Sequence, residues 1–211
     1  MNKAGEWILA KEPIHFYFSN HMGMDCGYSF GNSLLDCVPD SVSIAIIPCA
    51  VGGSGIDHWL TDSLYRNKHL WSNMKSSIKA TAKEGTLKGM IWHQGETDAK
   101  TERLLVHKSK LNTFFTKVRE EVGDPNMPIV VGELGKFDSN RPKWRALNDI
   151  LKGMSAESET VSLILTSDLD DTGDEVHFNS EAIRMMGKRY AIKMAELHGL
   201  AESVAAIKSQ K

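Results

Sequence analysis

The chain has 211 residues, of which 41% are hydrophobic and 25% are charged, and its formal net charge is −2. This length and composition predict a single globular domain, residues 1–211, with a sizeable core. The charge indicates no basic surface for nucleic acid, and no apolar run approaches the roughly 18 residues of a membrane span. We therefore expect neither nucleic acid nor a membrane as a partner.

The N-terminal residues and the cysteines indicate the cellular compartment of the protein and whether it binds a metal ion. Residues 1–7 lack the apolar core of a signal peptide, which is typical of a cytoplasmic protein; secretion stays open, because a preceding segment would carry any such signal. Three cysteines argue against a disulfide framework, with a single Cys26–Cys37 bridge as the alternative in an exported protein. No Cys and His residues have the spacing of metal ligands, so we expect no metal and no cofactor.

Strand and helix patterns alternate along the chain. Buried strands are predicted at residues 42–47, 87–91, 128–132 and 161–165. Apolar side chains at helical spacing predict helices through residues 70–78, 104–118, 142–154 and 179–194. Pro142 suits a first helical turn, and Asn179 suits an N-cap. This alternation predicts an α/β protein, in which helices cover both faces of a parallel sheet.

Four polar segments follow the predicted strands. They are residues 48–59, residues 92–98 with the sequence W-H-Q-G-E-T-D, residues 133–135, and residues 173–179. Polar side chains at the end of a buried strand are costly to desolvate, and ligands of open α/β sheets bind beyond the carboxyl ends of the strands. The four segments therefore predict one functional cleft at that edge of the sheet.

The last segment carries a carboxylate and an imidazole three residues apart, Asp174 and His177. In a turn, this spacing lets the carboxylate accept a hydrogen bond from one ring nitrogen, which leaves the other nitrogen free as a general base. The alternative is a capping Asp beside a surface His. The pair is our candidate for proton transfer.

Candidate oxyanion donors come from two other segments. Gly52 and Gly53 lie in a sharp turn where backbone N–H groups can approach a substrate oxygen, and the alternative is an ordinary glycine turn. Gln94 has a side-chain amide that can donate to a developing oxyanion, and the alternative is a core amide. A base with an orienting carboxylate and two such donors suits acyl transfer.

Four neighbouring residues have less direct expected roles. Glu96 and Asp98 suit supporting or capping positions near the site better than catalysis. Trp59 and Trp92 suit core packing, with stacking against a sugar as the alternative. Of these four residues, only Glu96 is included among the candidates for substrate binding.

These segments resemble the SGNH (GDSL-like) hydrolases, in particular the sialate O-acetylesterase and carbohydrate esterase family six branch. Residues 48–53 are similar to its second block, residues 92–98 to its third block with Thr97 where Ser is common, and residues 174–177 to its Asp-x-x-His block. Residues 12–15 and 27–30 are similar to its connecting region. The resemblance extends from about Trp7 to the last helix.

The resemblance implies a three-layer sandwich with a doubly wound, flavodoxin-like parallel sheet. It implies an enzyme that removes acetyl groups from sugar hydroxyls, so the expected partner is a carbohydrate ester or small-molecule ester. It makes His177 the base, Asp174 its partner, and Gly53 and Gln94 the oxyanion donors.

One block of the family has no counterpart here. The family opens with a strand followed by Gly-Gln-Ser-Asn or a similar sequence, whose Ser is the nucleophile. We therefore expect the first strand and this nucleophile to be absent, which would leave a gap in the sheet. Three explanations stay open: a segment that precedes this sequence, residues 14–18 or a second subunit of a homo-oligomer that fills the gap, and a degenerate family member.

Two serines are alternative nucleophiles. Ser29 lies in a Gly-x-Ser-x-Gly pattern, but residues 19–26 before it have a loop-like sequence, whereas the nucleophile elbow follows a strand. Ser54 lies beside the glycine turn. Two functions are thus open: a carboxylic-ester hydrolase of the acetylesterase type, and a catalytically inactive carbohydrate-binding member of the family.

Overall fold

A computed structural model describes residues 1–17, 23–138, 140–200 and Val204. The described helices are α1 (Gly27–Leu35), α2 (Ile56–Thr61), α3 (Leu70–Thr81), α4 (Thr101–Val122), α5 (Pro142–Ala156) and α6 (Ser180–Leu197). The described strands are β1 (Leu64–Tyr65), β2 (Lys68–His69), β3 (Met90–Trp92), β4 (Ile129–Gly132) and β5 (Val161–Ile164).

The main sheet is parallel, with the strand order β3-β4-β5. All four residues of the central strand β4 are buried, and its side chains alternate between two cores. Val130 packs with α1 and α6, whereas Ile129 and Val131 pack with α2 to α5. This alternation follows from the two-residue period of a strand. The expected α/β fold, with helices on both faces of a parallel sheet, is confirmed.

The strongly periodic elements lie where the sequence predicts them. Helices α3, α4, α5 and α6 cover the four predicted helical segments, and β4 and β5 agree with their predictions to within one residue. The Asn179 side chain accepts a hydrogen bond from the Ala182 backbone N–H at 2.9 Å, so it is the predicted N-cap of α6. β3 starts at Met90, three residues later than predicted.

The predicted strand at residues 42–47 is wrong. This segment forms no ladder within the described part of the chain, and its Ile46 carbonyl instead accepts from the amino group of Met1 at 2.9 Å. The Ile46 side chain packs beside Gly31 of α1. The apolar run therefore indicates contact with the core, but a strand also needs a hydrogen-bonding neighbour, and none of the described strands provides one.

The suggestion that residues 14–18 complete the sheet finds no support in the described residues. Residues 14–17 form no strand, and Phe18 lies outside the described part. Tyr17 instead packs beside α3, where its hydroxyl accepts a hydrogen bond from Nδ2 of Asn73 at 2.9 Å.

Helix α1, which the periodicity did not predict, packs closely against α6. A side chain at Gly187 of α6 would collide with Oγ of Ser29 and with the backbone at Cys26 and Phe30. The absence of a Cβ at Gly187 therefore allows the two helices to approach. Cys26 is a free thiol, as are Cys37 and Cys49, so the alternative of a Cys26–Cys37 disulfide is wrong.

Candidate active site

The glycine turn lies at the surface between residues 42–51 and α2. Gly53 has a φ of +76°, a conformation that glycine adopts without steric penalty. Gly52 and Gly53 are both exposed, and within the described residues their backbone N–H groups have no hydrogen-bond partner. The turn therefore offers free backbone donors, as its predicted role requires.

Three successive carbonyls of this turn are each held by a side chain. The donors are the Tyr65 hydroxyl to Gly52 O at 3.3 Å, the Thr97 hydroxyl to Gly53 O at 2.9 Å, and the Gln94 amide to Ser54 O at 3.0 Å. Two of these donors belong to residues 92–98, so the predicted second and third segments are in contact. Side chains of the protein thus hold these carbonyls, while the N–H groups of Gly52 and Gly53 have no partner among the described residues.

Gln94 is more constrained than its predicted role requires. Its Nε2 donates both to Ser54 O and to Oδ2 of Asp98, the latter at 2.7 Å, while its buried Oε1 has no partner. Both amide hydrogens are therefore engaged within the protein. An oxyanion role for Gln94 stays a prediction, and it requires the exchange of one of these hydrogen bonds for a substrate oxygen.

Asp98 is fully buried and joins two segments of the site. Its carboxylate accepts from Ile56 N at the start of α2 at 2.7 Å, from Gln94, and from Arg103 at 3.0 Å. These donors stabilise a buried charge that would otherwise be very costly. Glu96, by contrast, is exposed, and its Oε2 accepts from Gly95 N at 3.2 Å. Asp98 thus has the expected supporting role, while a substrate-binding role for Glu96 stays a prediction.

The pair of Asp174 and His177 forms as the spacing predicts. Nδ1 of His177 lies 2.6 Å from Oδ2 of Asp174, and Oδ1 accepts from the backbone N–H groups of Val176 and His177 at 2.9 and 2.8 Å. These hydrogen bonds, that from the His177 ring first, hold the pKa of Asp174 well below its ordinary value. The His177 side chain is 75% exposed, so its Nε2 is accessible to a ligand.

Aromatic contacts connect this pair to residues 92–98. The ring of Phe178, which follows His177, meets the ring of His93 edge-on at 5.7 Å and that of Phe137 at 4.9 Å. Nδ1 of His93 lies 3.1 Å from the hydroxyl of Tyr190 in α6. The seven-residue segment therefore contacts both the glycine turn and the loop that carries His177.

Trp59 and Trp92 are core residues. They are 2% and 7% exposed, and their rings meet at 5.4 Å in an edge-on arrangement. The alternative of sugar stacking is wrong for both, because neither presents a ring face to solvent.

The two alternative nucleophiles are engaged elsewhere. Ser29 is the third residue of α1, and its hydroxyl donates to Cys26 O at 3.2 Å. No strand precedes it at residues 23–26, and residues 19–22 lie outside the described part. Ser54 is 5% exposed, and its hydroxyl accepts from Nε1 of Trp59 at 3.1 Å. Among the described contacts, neither hydroxyl is hydrogen-bonded to His177.

Glu133, which directly follows β4, has a buried carboxylate that pairs with two partly exposed lysines. Its carboxylate lies 3.2 Å from Lys152 and 3.4 Å from Lys136, and it accepts from Thr166 N at 3.2 Å. Across the described ranges, no three His, Cys, Asp or Glu side chains group as they would around a metal ion. Nor does any helix of the described chain have the length and apolarity to cross a membrane.

Solved structures of other proteins have the same fold. An Arabidopsis thaliana protein superposes with a TM-score of 0.80 over 92% of this chain and 79% of its own, at 22% identity. NanS superposes with a TM-score of 0.70 over 89% of this chain and 75% of its own, at 16% identity. A carbohydrate acetylesterase from Xanthomonas citri gives 0.66 over 84% of this chain and 42% of its own, at 22% identity.

Sequence comparison gives the family. A probable carbohydrate esterase of Arabidopsis thaliana is 28% identical over 133 residues, which are 59% of this chain and 48% of that protein. The match thus spans about half the length of that relative. The model of the carbohydrate esterase, sialic acid-specific acetylesterase family matches residues 1–196. The chain therefore belongs to the sialic acid-specific acetylesterase family of carbohydrate esterases.

Proposed function

We propose that this protein is a carboxylic-ester hydrolase that removes acetyl groups from O-acetylated carbohydrates. The observation that carries the proposal is the hydrogen bond between Asp174 and His177, which leaves Nε2 of an exposed imidazole free. Family membership supports the carbohydrate ester as substrate.

In the proposed reaction, Nε2 of His177 removes the proton from a serine hydroxyl as that oxygen attacks the acetyl carbonyl. Asp174 orients the ring and stabilises the imidazolium that forms. The N–H of Gly53 stabilises the oxyanion of the tetrahedral intermediate. As the bond between the acetyl carbon and the sugar oxygen breaks, His177 returns the proton to that oxygen, which leaves as a sugar hydroxyl. Water then hydrolyses the acetyl-enzyme in the same manner, with His177 again as the base.

This mechanism requires a nucleophilic serine, and its position in the chain is to be identified by experiment. The hydroxyls of Ser29 and Ser54 are engaged away from His177, so neither is preferred. A fluorophosphonate probe followed by mass spectrometry would identify a reactive serine anywhere in the chain. If the probe labelled Ser29 or Ser54, the labelled residue would be identified as the nucleophile.

The test is hydrolysis of p-nitrophenyl acetate and release of acetate from acetylated sugars by the wild type and His177→Ala. His198→Ala is the matched control, because His198 is also exposed but caps the opposite end of α6. We expect turnover that disappears in His177→Ala, by a factor on the order of 10³ or more, and persists in His198→Ala. Equal turnover in the wild type and His177→Ala would exclude the proposed reaction.

The second candidate function is carbohydrate binding without catalysis. It is favoured by one observation, that no described serine is hydrogen-bonded to His177. It predicts that an acetylated sugar binds, as measured by calorimetry, while no serine is labelled and no acetate is released.

A further inference from the structure

We infer that Tyr65 is a positioning residue for the glycine turn: its hydroxyl holds the Gly52–Gly53 peptide so that the Gly53 N–H stays available to an oxyanion. This inference rests on the proposed function, in which Gly53 is the oxyanion donor. Its basis is the hydrogen bond from the Tyr65 hydroxyl to the Gly52 carbonyl.

The geometry of a peptide bond links this carbonyl to the donor. The Gly52–Gly53 peptide is trans, so the Gly52 C=O and the Gly53 N–H lie in one plane and point in opposite directions. A hydroxyl that binds the carbonyl therefore fixes the direction of the N–H. With the Gly52 carbonyl turned toward Tyr65, the Gly53 N–H is turned away from it, and this N–H has no partner within the described residues.

This peptide needs such a restraint more than most. Both of its residues are glycines, which adopt positive and negative φ almost equally well. Because neither has a Cβ atom, no side chain opposes rotation of the peptide plane. Thr97 and Gln94 hold the next two carbonyls, those of Gly53 and Ser54, and thereby restrain the peptides that follow. Tyr65 provides the hydrogen bond to the peptide that contains the candidate donor.

The Tyr65 ring is itself held in place by its neighbours. It lies at the end of β1, which pairs with β2 in a hairpin turned at Arg66 and Asn67, both with positive φ. Its ring packs on His58 of α2 with centroids 4.4 Å apart, and the Arg66 guanidinium lies 5.5 Å from its centroid. The hydroxyl is also close to Gly53, at 2.9 Å from the point where a Cβ would be.

The first readout requires no enzymatic activity. In protein labelled with ¹⁵N-glycine, Tyr65→Phe keeps the ring and removes only the hydroxyl. We expect the Gly53 amide resonance to shift or broaden more than those of glycines remote from the turn, because the peptide then samples a second orientation. Tyr28→Phe, which removes a hydroxyl on α1, is the control and should leave Gly53 unchanged. A Gly53 resonance that is the same in Tyr65→Phe and the wild type would overturn the inference.

The second readout separates this inference from the proposed function. If turnover depends on His177, Tyr65→Phe should lower kcat by at least about 10-fold and leave KM within about twofold, because one donor is worth roughly 10²–10³-fold in the transition state. An unchanged kcat would overturn the positioning role while the proposed function stands. If His177→Ala shows that there is no esterase reaction, the proposed function fails, and the Gly53 resonance still decides whether Tyr65 holds the peptide.

Discussion

Asp174 accepts three hydrogen bonds, and the one from Nδ1 of His177 is the shortest at 2.6 Å. Because these donors favour the carboxylate, the pKa of Asp174 lies well below its ordinary value. A carboxylate can only accept, so its hydrogen bond with the neutral imidazole places the proton on Nδ1. Nε2 is then the acceptor that a general base requires.

Replacement of Asp174 by Asn should disturb the orientation of the His177 ring without affecting substrate binding. The amide has the same shape but can present N–H to the ring, so the wrong nitrogen of His177 would carry the proton. We expect kcat for acetyl ester hydrolysis to fall by about 10²–10⁴-fold with little change in KM. Glu175→Gln, at an exposed carboxylate of the same loop, is the control. Wild-type kcat in Asp174→Asn would show that His177 needs no oriented partner.

The Thr97 hydroxyl has a hydrogen-bonding partner in the glycine turn. It donates to the Gly53 carbonyl at 2.9 Å, which a Ser hydroxyl would also do. Thr97→Val keeps the shape and removes this donor, so we expect a loss of about 1 kcal/mol in unfolding free energy and a lower kcat. Thr97→Ser is the matched control and should retain both. A Val variant with the properties of the Ser variant would contradict this role.

Asp98 should matter for stability more than for the chemical step. Asp98→Ala leaves Ile56 N and one of the two N–H groups of Gln94 Nε2 without an acceptor, and removes the carboxylate partner of Arg103. We expect urea denaturation to show a loss of about 3 kcal/mol or more. Glu102→Ala, at an exposed carboxylate in the first turn of α4, should change stability by only a few tenths of a kcal/mol. Equal effects of the two variants would mean that the Asp98 cluster contributes little.

The fold could be predicted where periodicity is long. α4 and α6 repeat their apolar spacing over many turns, so the sequence predicted both of them. α2 spans only six residues and the β1–β2 hairpin has two-residue strands, so neither shows a repeat that could be recognised. The segment at residues 42–47 was predicted wrongly as a buried strand: three of its residues are exposed and none is fully buried. Apolar composition alone does not make a strand, which depends on a hydrogen-bonding neighbour far away in the sequence.

The site divides in a similar way. Asp174 and His177 are three residues apart, and their hydrogen bond is local, so spacing alone predicted it. The engagement of Gln94 by Ser54, 40 residues away, could not be predicted from either segment. The same holds for Tyr65, whose contact with Gly52 depends on a hairpin that carries no strong sequence signal. No turn was predicted from the sequence at the tip of this hairpin, where the structure gives Arg66 and Asn67 positive φ.

His107 is a fully buried histidine of α4, and its two ring nitrogens have no hydrogen-bond partner within the described part of the chain. Burial is the main reason that its pKa lies below the ordinary value of 6.5; Asp98 and Asp57 raise the pKa, and Lys110 lowers it further. Between the lowered pKa and 6.5, the unfolded chain binds this proton and the folded protein does not. Above about pH 6.5, protonation of His107 should not affect the free energy of unfolding. Below this pH, it should lower the free energy of unfolding by at most about 1.4 kcal/mol per pH unit.

His107→Leu removes the titrating ring and its two polar nitrogen atoms from the core, so the variant should lose less stability than the wild type as the pH falls below about 6.5. Urea midpoints measured across this range would test the difference. His198→Leu is the control, because it makes the same substitution at an exposed histidine outside α4. If His107→Leu and the wild type lose stability at the same rate on acidification, protonation of other groups accounts for the pH dependence. His107 would then be no more than a packing residue between α4 and the Asp98 cluster.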